Sequence, residues 1–505
     1  MPPQTDPALE LRVRTSSRQF YEELEKRCKR FQPNHFIPTI ISIMRNCKLK
    51  HRYVYAPPFQ VGLMIEANCT YSRLSNNDIL TWPRYAKIKN IFHNTEEPAL
   101  LHLINHDMGN FMLVLHRQQI ELQKSIEKPD IARFYHLYAK EGAIPKLSFA
   151  MECVEGITPR NWLMAAMAIY SAAKTDPHGK VIAPTEGVDQ VGTLNKSSVE
   201  RFLAKASFTP EEIATRFKEL RSTTQPAFHN CIRSVFIERP LIKLGQNAYA
   251  TPFPNILLHF ASDGLYGILA SLPEFSHEFG EAMRCFTSRT ARHIPDNRLQ
   301  LEDTKLEQIC DGKSCDIVIE LTDSILLIES KTSAFQRNII TPATIARDNS
   351  TTKIKKAIDQ LISTATNIRN GKLNSYGVSS NKPIYAIVTT FGDIPFVNAP
   401  WYYDRFIKTP ENDSAIATLF ASKPITVSIR CFELLVMMLK TVGKSLVQLC
   451  TSREELGYAV TGDWDAYLER IANEQSGIVE LPYVQEDLDA FFREFGVGDF
   501  KPDPS

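Results

Sequence analysis

The stretch Cys315-Asp316-Ile317-Val318-Ile319-Glu320-Leu321, Thr322-Asp323, Ser324-Ile325-Leu326-Leu327-Ile328-Glu329-Ser330-Lys331 holds two apolar runs around a short polar gap. Runs rich in β-branched residues and leucine, joined this way, predict a β-hairpin. Side chains alternate along a strand. Glu329 and Lys331 therefore share a face, roughly 7 Å apart at ~3.3 Å rise per residue. Ionisable groups rarely end a buried apolar strand unless they are paired, metal-bound or exposed at a working edge.

An Asp and a Glu converging from neighbouring strands form a hard-oxygen site suited to Mg²⁺, with Mn²⁺ as the other candidate. A lysine beside them would hold or polarise a water. Those are the parts needed for metal-assisted phosphodiester hydrolysis. The plainer alternative is an exposed hairpin whose Glu329–Lys331 ion pair contributes little. Glu320 shares strand parity with Asp316, but its place at the turn predicts a solvent-facing side chain.

Asp316, twelve intervening residues and then Glu329-Ser330-Lys331 resemble the signature of the PD-(D/E)XK, or restriction-endonuclease-like, nuclease superfamily. Cys315 stands where that signature has its proline. Upstream, Phe275 to Met283 resembles the helix that carries an auxiliary acid in such nucleases. Downstream, Lys353 to Leu361 resembles the helix after the catalytic lysine, which often carries a glutamine. Ile384 to Phe391 follows in the position of a further sheet strand. The resemblance spans residues 265–435. It implies an α/β fold, a mixed sheet flanked by helices, joined here to a largely helical N-terminal accessory region.

On this basis Asp316 and Glu329 are expected to bind the cation, with Ser330 supplying its backbone carbonyl. Lys331 is expected to orient or deprotonate the attacking water. Glu281, or secondarily Glu278, would touch a bound water or second cation, and Gln360 would hold the lysine or a phosphate oxygen. Arg284, Arg289, Arg292, Lys353, Lys355 and Lys356 flank these elements as candidate phosphate contacts, which give affinity without reading sequence.

A chain of 505 residues predicts several domains, and 43% hydrophobic with 23% charged residues is ordinary globular composition. The formal net charge is +1, so nucleic-acid contact must come from local patches. Ten cysteines are scattered, with Cys310 and Cys315 the one close pair, which predicts free thiols rather than a zinc set. Met1-Pro2-Pro3-Gln4-Thr5-Asp6 lacks the pattern of a signal peptide, and the apolar stretch Trp162 to Ala173 is too short to cross a bilayer. A cytoplasmic location without membrane contact is the expectation.

Four segments are expected. Residues 1–150 form a mixed α/β domain, with strand-like Tyr53 to Tyr55 and Val61 to Ile65, helical Leu100 to Asn105, and Phe111 to Leu115 left between strand and helix. Its first 52 residues carry eleven basic side chains against five acids, either a phosphate-facing surface or a solvated helix face. Residues 151–264 read as a helical accessory domain, with Thr158-Pro159 and Thr209-Pro210-Glu211-Glu212 opening helices and a loop from Thr175 to Asn195. The nuclease-like domain covers 265–435, including an aromatic stretch at Trp401, Tyr402 and Tyr403 that either stacks bases or closes over a core. Residues 436–505 form an acidic helical extension. From 451 onward it carries thirteen acids against four bases and either shields a basic cleft or solubilises the chain.

The leading expectation is a Mg²⁺-dependent endonuclease acting on DNA, with RNA second. No P-loop is present to supply an ATP-driven motor. By analogy alone, such a chain suits a bacterial defence or mobile-element effector, acting with a protein partner or as a homo-oligomer. The rivals are a catalytically inactive nuclease fold that binds or scaffolds nucleic acid, and a protein-interaction module in which the hairpin is incidental.

Overall fold

Runs of isoleucine, leucine and valine bounded by polar turns form strands buried on both faces, and helices with apolar stripes close over them. The structure is a computed structural model. It describes residues 7–47, 56–73, 78–94, 122, 126–140, 151, 156–182, 194–224, 232–270, 272, 275–310, 313–334, 348–394, 396–457, 464–475 and 477–493. The expectations for Tyr53 to Tyr55, Leu100 to Asn105, Phe111 to Leu115, the middle of the 175–195 loop and the last twelve residues lie outside these.

The protein is mixed α/β and divides into two compact units, residues 1–127, 146–269 and 491–505, and residues 128–145 with 270–490. This division does not follow the four expected segments. Residues 128–145 join the unit that contains the hairpin rather than the N-terminal domain, as does most of the acidic extension.

In the first unit, helices begin where capping chemistry predicts. Thr158 accepts from the Asn161 N–H, and Thr209 and Glu212 form a reciprocal capping box. Val61 to Ile65, expected as strand, lies inside the helix Pro58–Tyr71. Residues 151–264 are also not purely helical. They contain a four-stranded sheet, β1 (Lys180–Ile182), β2 (Ser207–Phe208), β3 (Leu241–Lys243) and β4 (Ala248–Ala250), in the order β1-β4-β3-β2. Strands of two or three residues are too short to show alternation, so only tertiary pairing reveals them.

In the second unit, β5 (Leu299–Glu302), β6 (Ile317–Glu320), β7 (Ile325–Lys331), β8 (Ile384–Thr390) and β9 (Ile425–Ser428) form one sheet in that order. β5, β6 and β7 pair antiparallel, whereas β7, β8 and β9 pair parallel. The expected hairpin is β6–β7, closed at Leu321 N–H to Ser324 C=O, 2.9 Å. At the β9 edge, the Asn398 amide bonds both the N–H and the C=O of Thr426 at 2.7 Å, blunting an edge that could otherwise pair with another chain.

The helices that bear on the site are α1 (Lys128–Phe134), α2 (Phe275–Ala291), α3 (Asn349–Arg369), α4 (Ile429–Val442) and α5 (Pro482–Arg493). α3 buries Ile354, Ala357, Ile358, Leu361, Thr364, Ala365 and Ile368 at helical spacing and packs on β7 and β8. Lys353, Lys356 and Gln360, three and four residues apart, consequently share one flank of it. α2 packs on β7 and on α4. Among the described residues, no single helix is long and apolar enough to cross a membrane.

Candidate active site at the end of the central strand

β7 is longer than its antiparallel neighbour. Pairing with β6 stops at Ile317↔Ile328, while Glu329, Ser330 and Lys331 continue beside Val388, Thr389 and Thr390 of β8. The β6 side of those last three residues is therefore open, and Asp316 folds into the gap. Its carboxylate accepts the Ser330 N–H at 2.7 Å, and its own N–H donates to the Glu329 carboxylate at 3.1 Å. The C=O and N–H of an extended residue leave on the same edge, so the Ser330 carbonyl is turned toward this gap as well.

Lys331 completes the trio. Its ammonium donates to Glu329 and, at 2.7 Å, to the side-chain oxygen of Gln360. Gln360 in turn donates to the Ser314 carbonyl at 3.0 Å, which ties α3 to the residues just before Asp316. Thr364, one turn further along α3, accepts the Cys315 N–H at 2.8 Å and donates to the Gln360 carbonyl at 3.0 Å. A proline at position 315 would have no N–H to satisfy, so this sequence needs an acceptor that the signature does not. Sequence reading missed Thr364. The available signal was its i+4 spacing from Gln360.

Burial raises the Asp316 carboxyl above its ordinary value, against the pull of the Ser330 N–H, Lys331 and Arg284. Glu329 is 1% exposed. Burial, and then the neighbouring Asp316 charge, push it up to about 8 despite Lys331. Two carboxyls thus compete for one ammonium in a water-poor setting. No group of three His, Cys, Asp or Glu side chains able to hold a metal occurs among the described residues. Two carboxylates and a carbonyl do fit Mg²⁺, which keeps much of its water and takes one or two carboxylates from protein.

The site opens onto a cleft of about 220 Å³ lined by Gly280, Met283, Ser330, Lys331, Thr332, Lys353 and Lys356. Lys353 donates to the Thr332 carbonyl at 2.8 Å. Burial, and then the nearby Lys331 charge, hold its ammonium below the usual lysine range.

Other expected residues fall elsewhere. Glu281 is half exposed and pairs with Arg284, and it is Arg284 whose charge reaches Asp316. Lys355 does not line the cleft. Arg289 turns away from it, donating to Asp487 at 2.6 Å and lying over the Tyr483 ring, while Arg292 pairs with Glu302 at 2.8 Å. Glu320 is corrected outright. It is 6% exposed, paired with Lys382, and accepts the Ser379 N–H at 3.3 Å, because the 379–382 turn folds over the hairpin end. Tyr402 and Tyr403 are buried, and Tyr402 shares a hydrogen bond with Thr351 on α3, so they close a core rather than offer stacking faces. Cys310 and Cys315 are free thiols.

No protein-family model matches this chain, and no curated protein is similar to it.

Proposed function

We propose that the second unit is a restriction-endonuclease-like domain that hydrolyses phosphodiester bonds in DNA with a divalent cation, Mg²⁺ by preference. One observation carries this reading: Asp316, Glu329 and Lys331 interlock on one strand end, two buried acids beside one ammonium, next to a cleft whose walls add Lys353 and Lys356. Surface ion pairs lack that combination of burial, paired acids and an open approach.

Asp316, Glu329 and the Ser330 carbonyl would hold the cation. When bound, it would offset charge on the scissile phosphate and make water a better nucleophile. The remaining work falls to the chain itself. Lys331, fixed by Glu329 and Gln360, presents its amine to the cleft, where it orients the water that attacks phosphorus. Lys353 and Lys356 are placed to receive the non-bridging phosphate oxygens and so set the strand's position. Arg284 adds positive charge near Asp316 from α2.

The test is cleavage of plasmid and single-stranded DNA with Mg²⁺ by wild type, Lys331→Ala and Asp316→Ala. Loss of general acid–base help is worth about 10²–10⁴-fold, the drop expected for Lys331→Ala with the fold intact. Asp316→Ala should abolish turnover. Nucleic-acid binding without cleavage in the wild type would favour an inactive nuclease fold, and neither activity would favour an interaction module. Substantial turnover by Asp316→Ala would remove the metal role assigned here.

A further inference from the structure

Gly280 sits in the interior of α2, yet nothing among the described residues requires a glycine there. Its φ is not in the left-handed region, and among those residues a Cβ at that position would meet only the Thr332 methyl, at an ordinary 3.9 Å. Alanine would fit and would favour the helix, since glycine is among the poorest helix formers. Elsewhere the fold does demand glycine, as at Gly179, where φ is +62° and a Cβ would meet the Thr251 carbonyl at 2.7 Å. One use of a helix glycine is to let a ligand come close to the backbone.

The cleft says what that is. Gly280 and, one turn on, Met283 line it from α2 together with Lys331, Lys353 and Lys356, so at Gly280 the helix brings bare backbone to a cleft walled by three lysines. We infer that Gly280 is the point where the nucleic-acid backbone crosses α2, its sugar–phosphate running between this glycine and the Lys353–Lys356 flank of α3. The missing side chain makes room for the sugar, and the lysines take the phosphate. Gly280 is thus a positioning element for a polyanionic strand. This inference rests on the proposed nuclease reading and deepens it by fixing the substrate's path.

Fluorescence anisotropy with labelled single-stranded and duplex oligonucleotides, with Ca²⁺ in place of Mg²⁺, tests the inference on the full chain. Gly280→Ala should raise the thermal midpoint while weakening binding about threefold. Gly280→Leu should weaken binding at least tenfold and slow Mg²⁺-dependent cleavage in parallel. Cys285→Leu, an exposed position on α2 outside the cleft lining, should bind as wild type does. Wild-type affinity in folded Gly280→Leu would overturn the inference and leave the nuclease reading standing. A wild-type protein that binds neither oligonucleotide would sink that reading, and this inference with it. If Gly280→Leu fails to fold, Gly280→Ala decides by the same affinity criterion.

Discussion

Two ionic clusters are buried in the same unit, one around Arg133 and one at the end of β7. At Arg133, the carboxylates of Asp130 and Glu433 face the guanidinium groups of Arg133 and Arg430. Tyr483 donates its hydroxyl to Glu433 at 2.9 Å and accepts from Thr290 at 2.8 Å. Charges balance, and α1, α2, α4 and α5 are pinned together. At β7, Lys331 bonds Glu329, Arg284 reaches Asp316 by charge alone, and burial drives both carboxyls upward, as it does Glu433, with Asp316 adding its own charge against Glu329. Arg133 is 5% exposed, whereas the Lys331 side chain is 21% exposed and faces a cleft. A closed, neutral cluster specifies how helices dock. An open cluster that buries two acids side by side is stable only at a cost, which a divalent ion would relieve.

The largest effect should come from breaking the balanced cluster. Arg133→Ala leaves Glu433 and Asp130 buried with less compensation, and a loss of about 3–5 kcal/mol in urea unfolding is expected. Lys331→Ala, at a partly exposed side chain beside an acid that readily takes up a proton, should cost less stability while lowering cleavage by about 10²–10⁴-fold. Comparable losses for the two variants would erase the distinction drawn between the clusters.

A smaller effect, opposite in sign, is expected at Glu329. Its folded carboxyl titrates near pH 8, far above an unfolded glutamate, so the folded state holds the extra proton. Stability is then greatest below the ordinary glutamate range and falls as pH rises toward about 8. Glu329→Gln removes that fall. Its unfolding free energy in urea should match wild type near pH 5 and exceed it at pH 8.5 by an amount on the order of 1–3 kcal/mol. Added Mg²⁺ should raise the wild-type midpoint more at pH 8.5 than at pH 6, because metal and protons compete for the same oxygens, and should do little for Glu329→Gln. A pH-independent difference between the two proteins would contradict the raised Glu329 carboxyl.

The smallest effect concerns the support beneath the site. Thr364→Val leaves the buried Cys315 N–H without its acceptor and should cost about 1–3 kcal/mol, with Thr364→Ser recovering most of it. Equal stability of the two variants would show that the Thr364 hydroxyl does not hold the Asp316 loop.

Much of the site could be read from local pattern. The hairpin, the helix bearing Lys353 and Gln360, and the shared face of Glu329 and Lys331 depend on alternation and helical spacing within a few residues of chain. What escaped reading depends on distant partners. Glu320 was expected in solvent because Lys382, its partner, is far along the chain, and Arg289 was expected at a phosphate because Asp487 is farther still. The pairing of Arg133 on α1 with Glu433 on α4 likewise joins residues far apart in the chain.

By itself, the sequence determined the β6–β7 hairpin, the caps at Thr158 and Thr209 and the order in which two acids and a lysine arrive at one strand end, since these follow from steric preference over short distances. Only the tertiary structure decided which charges meet a partner and which are pushed to take up a proton, because electrostatics is summed over everything nearby in space. At Arg133 carboxylates meet guanidinium groups, and at β7 burial beside a second acid pushes Glu329 up to about 8.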